Sequence, residues 1–152
     1  MADQVADLVR VGRVGFTGTR EGMTDAQRAT VRLLLEDYAP SWAHHGDCVG
    51  ADADFHHLAK AAGASVMLHP PSDPKLRAGL VGDDIAFEKP YLDRNRDIVN
   101  ACEVLIATPK GTMDARNGGT WYTINYARQK GRRTVIVWPD GSTRIDGDGC
   151  GA

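Results

Sequence analysis

Residues 116 to 121 read R-N-G-G-T-W: an arginine, two glycines and a threonine placed just before a run with helical periodicity. Glycines there either serve a turn that needs positive φ, or leave the backbone N–H groups of a helix N-terminus open to an anion such as phosphate. Three other stretches carry related chemistry. Thr17, Gly18, Thr19 and Arg20 bring hydroxyls and a guanidinium, and Gly46, Asp47, Gly50, Ala51 and Asp52 bring small residues and two carboxylates. Arg94 and Asn95 form the third group, and Arg116, Gly118, Gly119 and Thr120 complete the set. Each has a plain structural reading beside the functional one. A glycine after a strand is commonly a tight turn, Asp47 and Asp52 suit helix capping, and Arg94 suits an ion pair with Glu88, Asp93 or Asp97. Trp121 and Tyr122 suit a core or an interface.

Other constellations carry less. His44-His45 and His56-His57 invite a metal reading, but neighbours on a strand point to opposite faces and neighbours on a helix lie about 100° apart. No H-x-x-x-H or Cys/His spacing is present, so no metal is expected. The absence of G-x-x-x-x-G-K-[ST] excludes a P-loop. Cys48 has an aspartate nearby but no evident base, which leaves no clear nucleophile. Asp83, Asp84 and Glu88 read as a solvated acidic face, unless their loop closes over a site as a lid.

The length of 152 residues fits one domain able to bury its own core. Cys48, Cys102 and Cys150 are odd in number and widely separated, which points to a reducing cytoplasm. The opening M-A-D-Q-V-A-D has no basic n-region, and no long apolar run follows, so neither secretion nor membrane insertion is expected. A formal charge of −2 gives no reason to expect nucleic acid as the partner.

The elements that must position these groups alternate. V-G-R-V-G-F (11–16) reads as a strand. Thr24 and Gln27 form a capping box before Val31, Leu34, Leu35 and Tyr38, the apolar stripe of a helix ending near Pro40. A weak strand at 42–46 precedes a second helix with Phe55, Leu58, Ala59 and Ala62 on one face and Gly63 at its end. Residues 65–69 give a third strand. The stretch 70–89 has no clear period and reads as a long loop or lid. A helix starts at Pro90, E-V-L-I-A-T (103–108) is the clearest buried strand, a helix runs from about 120 to 130, and T-V-I-V-W (134–138) is the last strand. The expected architecture is an α/β, Rossmann-like parallel sheet of about five or more strands with helices on both faces, residues 1–140 forming the single domain. Residues 141–152 are expected to fray as a polar tail. In such a sheet every helix starts at the carboxyl edge of the strands, so the four candidate segments converge on one rim. They describe an anion pocket with room for a sugar.

The motifs H-G-D-C-V-G-A-D-A (45–53), R-N-R-D-I-V (94–99) and R-N-G-G-T-W-Y-T-I-N-Y-A-R (116–128), with an apolar strand ending at Pro109, resemble the SLOG superfamily. That group includes the Rossmann-like domain of DNA-processing protein A, the Lonely Guy proteins and the molybdenum-cofactor carriers. The resemblance covers roughly residues 11–140. It implies a Rossmann-like fold that binds a nucleotide or nucleotide-derived ligand, as a homodimer or larger assembly. Lonely Guy enzymes carry P-G-G-x-G-T-x-x-E, whose glutamate assists cleavage of an N-glycosidic bond. Here Thr123 falls at that position, so phosphoribohydrolase chemistry through the usual residue is not expected, and Glu88, Asp52 or Asp54 would have to substitute. The reading is therefore a sensor or carrier of a phosphorylated nucleoside or related cofactor. The alternatives are a nucleotide N-glycoside hydrolase or transferase, and a module that works through protein contacts at Trp121 and Tyr122 with a vestigial pocket. Gly118, Gly119 and Thr120 would contact phosphate, aided by residues 17–20. Arg94 and Arg116 would neutralise charge, and Asp47 or Asp52 would accept ribose hydroxyls.

Overall fold

The computed structural model describes residues 10–111 and 118–147. Along them run β1 (Arg13–Gly18), α1 (Asp25–Tyr38), β2 (Trp42–His45), α2 (Ala51–Ala61), β3 (Ser65–Leu68), β4 (Asp84–Ile85), α3 (Tyr91–Ala101), β5 (Val104–Thr108), α4 (Gly118–Gln129), β6 (Arg133–Val137) and β7 (Thr143–Asp146). A short 3-10 turn occupies Pro74–Leu76. The strands form one seven-stranded sheet in the order β4-β3-β2-β1-β5-β6-β7. Neighbours are parallel except β6 and β7. The chain moves outward from β1 to β4 and then returns to the other side of β1 as β5, so strand order reverses between β1 and β5.

Period-two alternation explains the three layers. Val14 and Phe16 on β1, Val104 and Ile106 on β5, and Val135 and Val137 on β6 face α1 and α2, where they meet Val31, Leu35 and Phe55. The Phe16 and Phe55 rings stack at 4.4 Å and 7°. The alternate residues, Leu105 and Ala107, face α3 and α4 with Ile98, Val99, Trp121 and Ile124. All of β5 is buried, as a strand covered on both faces must be. Gly15 lets α3 lie close: a Cβ there would sit 2.8 Å from Cys102 Sγ and 3.0 Å from Ile98 Cγ2.

The capping box opens α1 as the sequence suggests. Thr24 Oγ1 accepts from Gln27 N at 3.0 Å, and Gln27 Oε1 accepts from Thr24 N at 2.9 Å. Gln27 does more than cap, because its buried amide nitrogen donates to the Pro109 and Val137 carbonyls, each at 3.0 Å. One side chain thereby ties the start of α1 to the ends of β5 and β6.

Two expectations need correction. Residues 143–146, assigned to a fraying tail, form β7, which pairs antiparallel with β6. Pairing satisfies backbone groups that polar, glycine-rich composition cannot report on, and Asp146 adds an ion pair with Arg128 at 2.7 Å. The stretch 70–89 is also not structureless: it contains the 3-10 turn and the edge strand β4.

Candidate functional site

The reversal point places the carboxyl ends of β1 and β5 side by side, Thr17 opposite Ala107 and Gly18 opposite Thr108. Thr17 is buried on the face that carries α3 and α4. Gly18 is packed on the opposite face, where an added Cβ would meet Ala51 Cβ and Thr108 Oγ1, both at 2.5 Å. The Thr108 hydroxyl is buried and has no hydrogen-bond partner among the described residues. A buried unsatisfied hydroxyl is uncommon in a folded chain, and this one lies at the crevice where ligands bind in such sheets.

The β1–α1 and β2–α2 loops are clamped to each other. Ala51 N donates to the Thr19 carbonyl at 2.9 Å. Gly50, the residue before α2, has φ +91° and lies against the Arg20 carbonyl so closely that a Cβ would collide with the backbone. Asp54 fastens the same junction, accepting from Met23 N at 2.9 Å. The Arg20 side chain is exposed and has no ion-pair partner among the described residues.

Arg94 is buried in the first turn of α3, and its donors are largely committed. Nε donates to the Tyr91 carbonyl at 3.3 Å, one Nη donates to the carbonyls of Gly46 and of His69 (3.0 Å), and the other lies 3.4 Å from Cys48 Sγ. It ties the start of α3 to the ends of β2 and β3. Gly46 must be small because a Cβ would fall 2.7 Å from Arg94 Cζ and 3.0 Å from Asp52 Oδ2. Asn95 is buried beside Arg94.

The two carboxylates of the β2–α2 loop have separate tasks. Asp52, in the first turn of α2, accepts from Gly46 N and Cys48 N, each at 3.1 Å. Burial pushes its pKa up to about 6, opposed by the Arg94 charge and by those two N–H groups. Asp47 is completely buried at φ +53°. Its carboxylate accepts from Leu80 N at 2.9 Å and from the Arg77 guanidinium at 3.1 Å. Both carboxylates are engaged by donors of the protein itself. Cys48 is half-buried, and burial raises its thiol pKa, so it is no activated thiolate.

The histidines behave as strand geometry requires. His44 and His45 point to opposite faces: His44 Nδ1 meets His69 Nε2 at 2.9 Å, and His45 Nε2 meets His56 Nδ1 at 3.0 Å. Asp47 N donates to His45 Nδ1 at 2.9 Å. The His45 proton must therefore sit on Nε2 and be donated to His56. Burial lowers His44 and His69 to about 4 and His45 to about 3, so all three are neutral at pH 7. Among the described residues no group of His, Cys, Asp and Glu is arranged to hold a metal.

The fourth segment opens α4. Gly119 has room among the described residues, where a Cβ would approach only Tyr91 Cε2, at 3.7 Å. Thr120 is buried, and the Thr123 hydroxyl donates back to the Gly119 carbonyl at 2.8 Å. Trp121 is buried, its Nε1–H donating to the Gly111 carbonyl at 3.1 Å, so it anchors the segment after β5. Tyr122 accepts from Arg96 Nε at 2.6 Å. Arg116 lies outside the described residues. Composition gave no signal for the roles of His69, Arg77 or Thr108, because each depends on a partner far away in the chain.

No family model matches the chain, and no curated protein sequence matches it. Solved structures do. The crystal structure of TM1055, a structural-genomics target, aligns with a TM-score of 0.59 at 15% identity, over 81% of this chain and 72% of that one. DNA processing protein A from Helicobacter pylori, solved for its single-stranded DNA binding mode, aligns with a TM-score of 0.59 at 16% identity, over 96% of this chain and 72% of that one. The chain shares the α/β fold of these two solved structures. At such identities the likeness concerns the backbone, and the side-chain chemistry of the rim is this chain's own. No helix among the described residues is long and apolar enough to cross a membrane.

Proposed function

We propose that the chain binds a nucleotide, or a ligand derived from one, at the carboxyl edge of the sheet, as a sensor or carrier. The supporting observation is the convergence at the reversal point. Thr17, Gly18, the unpartnered Thr108 hydroxyl and the first turn of α4 all belong to the ends of β1 and β5 or to the element that follows β5. The N-terminus of α4 supplies N–H groups and the positive end of a helix dipole for phosphate. Arg20 is the exposed cation nearby in sequence, and Arg116 is assigned the same task. Arg94 acts in this reading by shaping the rim, because its N–H groups already serve protein acceptors.

Hydrolysis of an N-glycosidic bond is the rival reading, and the carboxylates argue against it. Thr123 stands where a glutamate would act and its hydroxyl bonds within the helix. Asp52 and Asp54 hold loop N–H groups, and Glu88 is exposed beyond β4. The Helicobacter pylori neighbour binds single-stranded DNA. Such binding draws on several unpaired cations, whereas here Lys110, Arg28 and Arg77 are held by Glu21, Asp25 and Asp47. A small ligand fits better than a polyanion. Assembly as a homodimer or larger, and a cytoplasmic location, belong to the same proposal.

A thermal-shift screen tests it, with nucleoside monophosphates, dinucleotides, ADP-ribose-type compounds, pterin cofactors and a single-stranded oligonucleotide. A ligand present at 100 times its Kd adds about 2.7 kcal/mol, on the order of 5–10 °C for a chain of this length. Stabilisation with the ligand recovered intact supports a binder. Release of free base supports the rival, and a response to the oligonucleotide alone moves the reading to DNA.

A further inference from the structure

The segment after the 3-10 turn is attached to the rim in an unusual way. No residue from 72 to 90 is buried, so no hydrophobic contact of a core kind holds this stretch down. Its attachment at the rim is polar and centres on one residue. Asp47 accepts Arg77 Nε and Nη2 at 3.1 Å, Leu80 N at 2.9 Å and, through its carbonyl, Ala78 N at 2.7 Å. Cys48 and Arg77 add an isolated antiparallel bridge. Asp47 itself is rigidly seated: it is fully buried, has φ +53°, and is fixed by the bond from its N–H to His45, whose other nitrogen meets His56.

We propose that Arg77–Leu80 is a latched strap, and that Arg77 competes with the hydroxyls of a rim-bound ligand for the Asp47 carboxylate. The latch is therefore autoinhibitory. The keeper belongs to the well-packed β2–α2 loop, while the bolt belongs to a segment with little besides polar bonds to oppose its opening. Segments of that kind open locally without unfolding the domain. When closed, the strap covers Asp47 and leaves the rim without a free acidic acceptor in the β2–α2 loop, since Asp52 serves Gly46 N and Cys48 N. When open, Asp47 becomes an acceptor for a vicinal diol. This proposal rests on the nucleotide reading for its ligand, but the opening of the strap does not.

The first experiment is hydrogen exchange on the intact, ligand-free protein. Ala78 and Leu80 amides are expected to exchange at least about 100-fold faster than those of Phe16 and Ile106, by local opening. Equal protection at all four positions would mean that the strap opens only with the whole fold, which overturns the latch. The second uses Arg77→Ala, with adenosine 5′-monophosphate and its 2′,3′-dideoxy analogue as probes. Freeing Asp47 should tighten the ribonucleotide about tenfold and leave the dideoxy compound unchanged, because affinity scales with the competent fraction. Should Arg77→Ala not fold, Arg77→Lys keeps the charge, loses the bidentate fork, and is read in the same way. Unchanged ribonucleotide affinity in a folded variant, or equal tightening of both probes, overturns the competition. Fast local exchange with no binding by wild type or variant removes the nucleotide reading and the competition together.

Discussion

The two halves of the rim are built differently. On the β1–β2 side every loop is locked: Gly50 against the Arg20 backbone, Asp52 on two N–H groups, and Arg94 on three carbonyls. On the β5–α4 side the described residues leave room: a Cβ at Gly119 would meet none of them closer than 3.7 Å, and the Thr108 hydroxyl has no partner among them. The contrast separates residues that keep a shape from residues able to receive something. Small residues occur in both settings: Gly46, Gly18 and Gly50 are small because the protein itself fills the space, and Gly119 is small where the described residues leave space.

The largest test of this contrast is Arg94→Ala. It strips two buried carbonyls, those of Gly46 and His69, of a side-chain donor and leaves Asp52 without a nearby cation, so stability should fall by about 3–5 kcal/mol. Chemical denaturation measures it. If the variant keeps full stability and loses only phosphate affinity, Arg94 belongs to the receiving half. Next is Gly50→Ala, which combines an unfavourable φ with a collision against the Arg20 carbonyl and should cost about 3 kcal/mol. A melting temperature equal to wild type would show that the two loops are not clamped through this residue.

Acidification probes the locked half without mutation. His44, His45 and His69 bind fewer protons folded than unfolded, so their contribution is complete above pH 6.5 and is lost as pH falls toward about 4, and for His45 toward about 3. Asp52 works in the other direction. Its pKa is about 6 in the folded protein against an ordinary value of 3.8, so it gains protons on folding and favours the folded form as pH falls through that window. Three histidines against one carboxyl predict a net fall in melting temperature between pH 6.5 and 4.5. A flat profile would mean that the paired imidazoles are already charged or hydrated. The smallest structural effect should come from Gly119→Ala: stability should change by less than about 1 kcal/mol, while ligand affinity drops by about tenfold, or about 1.4 kcal/mol, if the backbone there touches ligand. Unaltered affinity would return Gly119 to an ordinary helix start.

Much of the architecture is legible in the chain because it depends on neighbours in sequence. The Thr24 and Gln27 cap, the stripe of α1, the buried run of β5 and the φ > 0 stop at Gly63 are local patterns with local causes. The opposite orientation of His44 and His45 also follows from strand geometry alone, and it argues against a shared metal. The tail escaped because T-R-I-D has the composition of a loop, and only the exposed edge of β6 makes it a strand.

The sequence by itself determined the alternation of strands and helices, hence a parallel sheet and a rim where candidate groups converge, because periodicity and capping are short-range effects. Which of those groups are held by other parts of the chain is visible only in the tertiary structure. Asp47 and Asp52 lie five positions apart in similar company, yet one holds Arg77 from thirty residues away and the other closes its own loop. Burial and hydrogen-bond satisfaction are set by distant segments meeting in space, and no local pattern encodes that meeting.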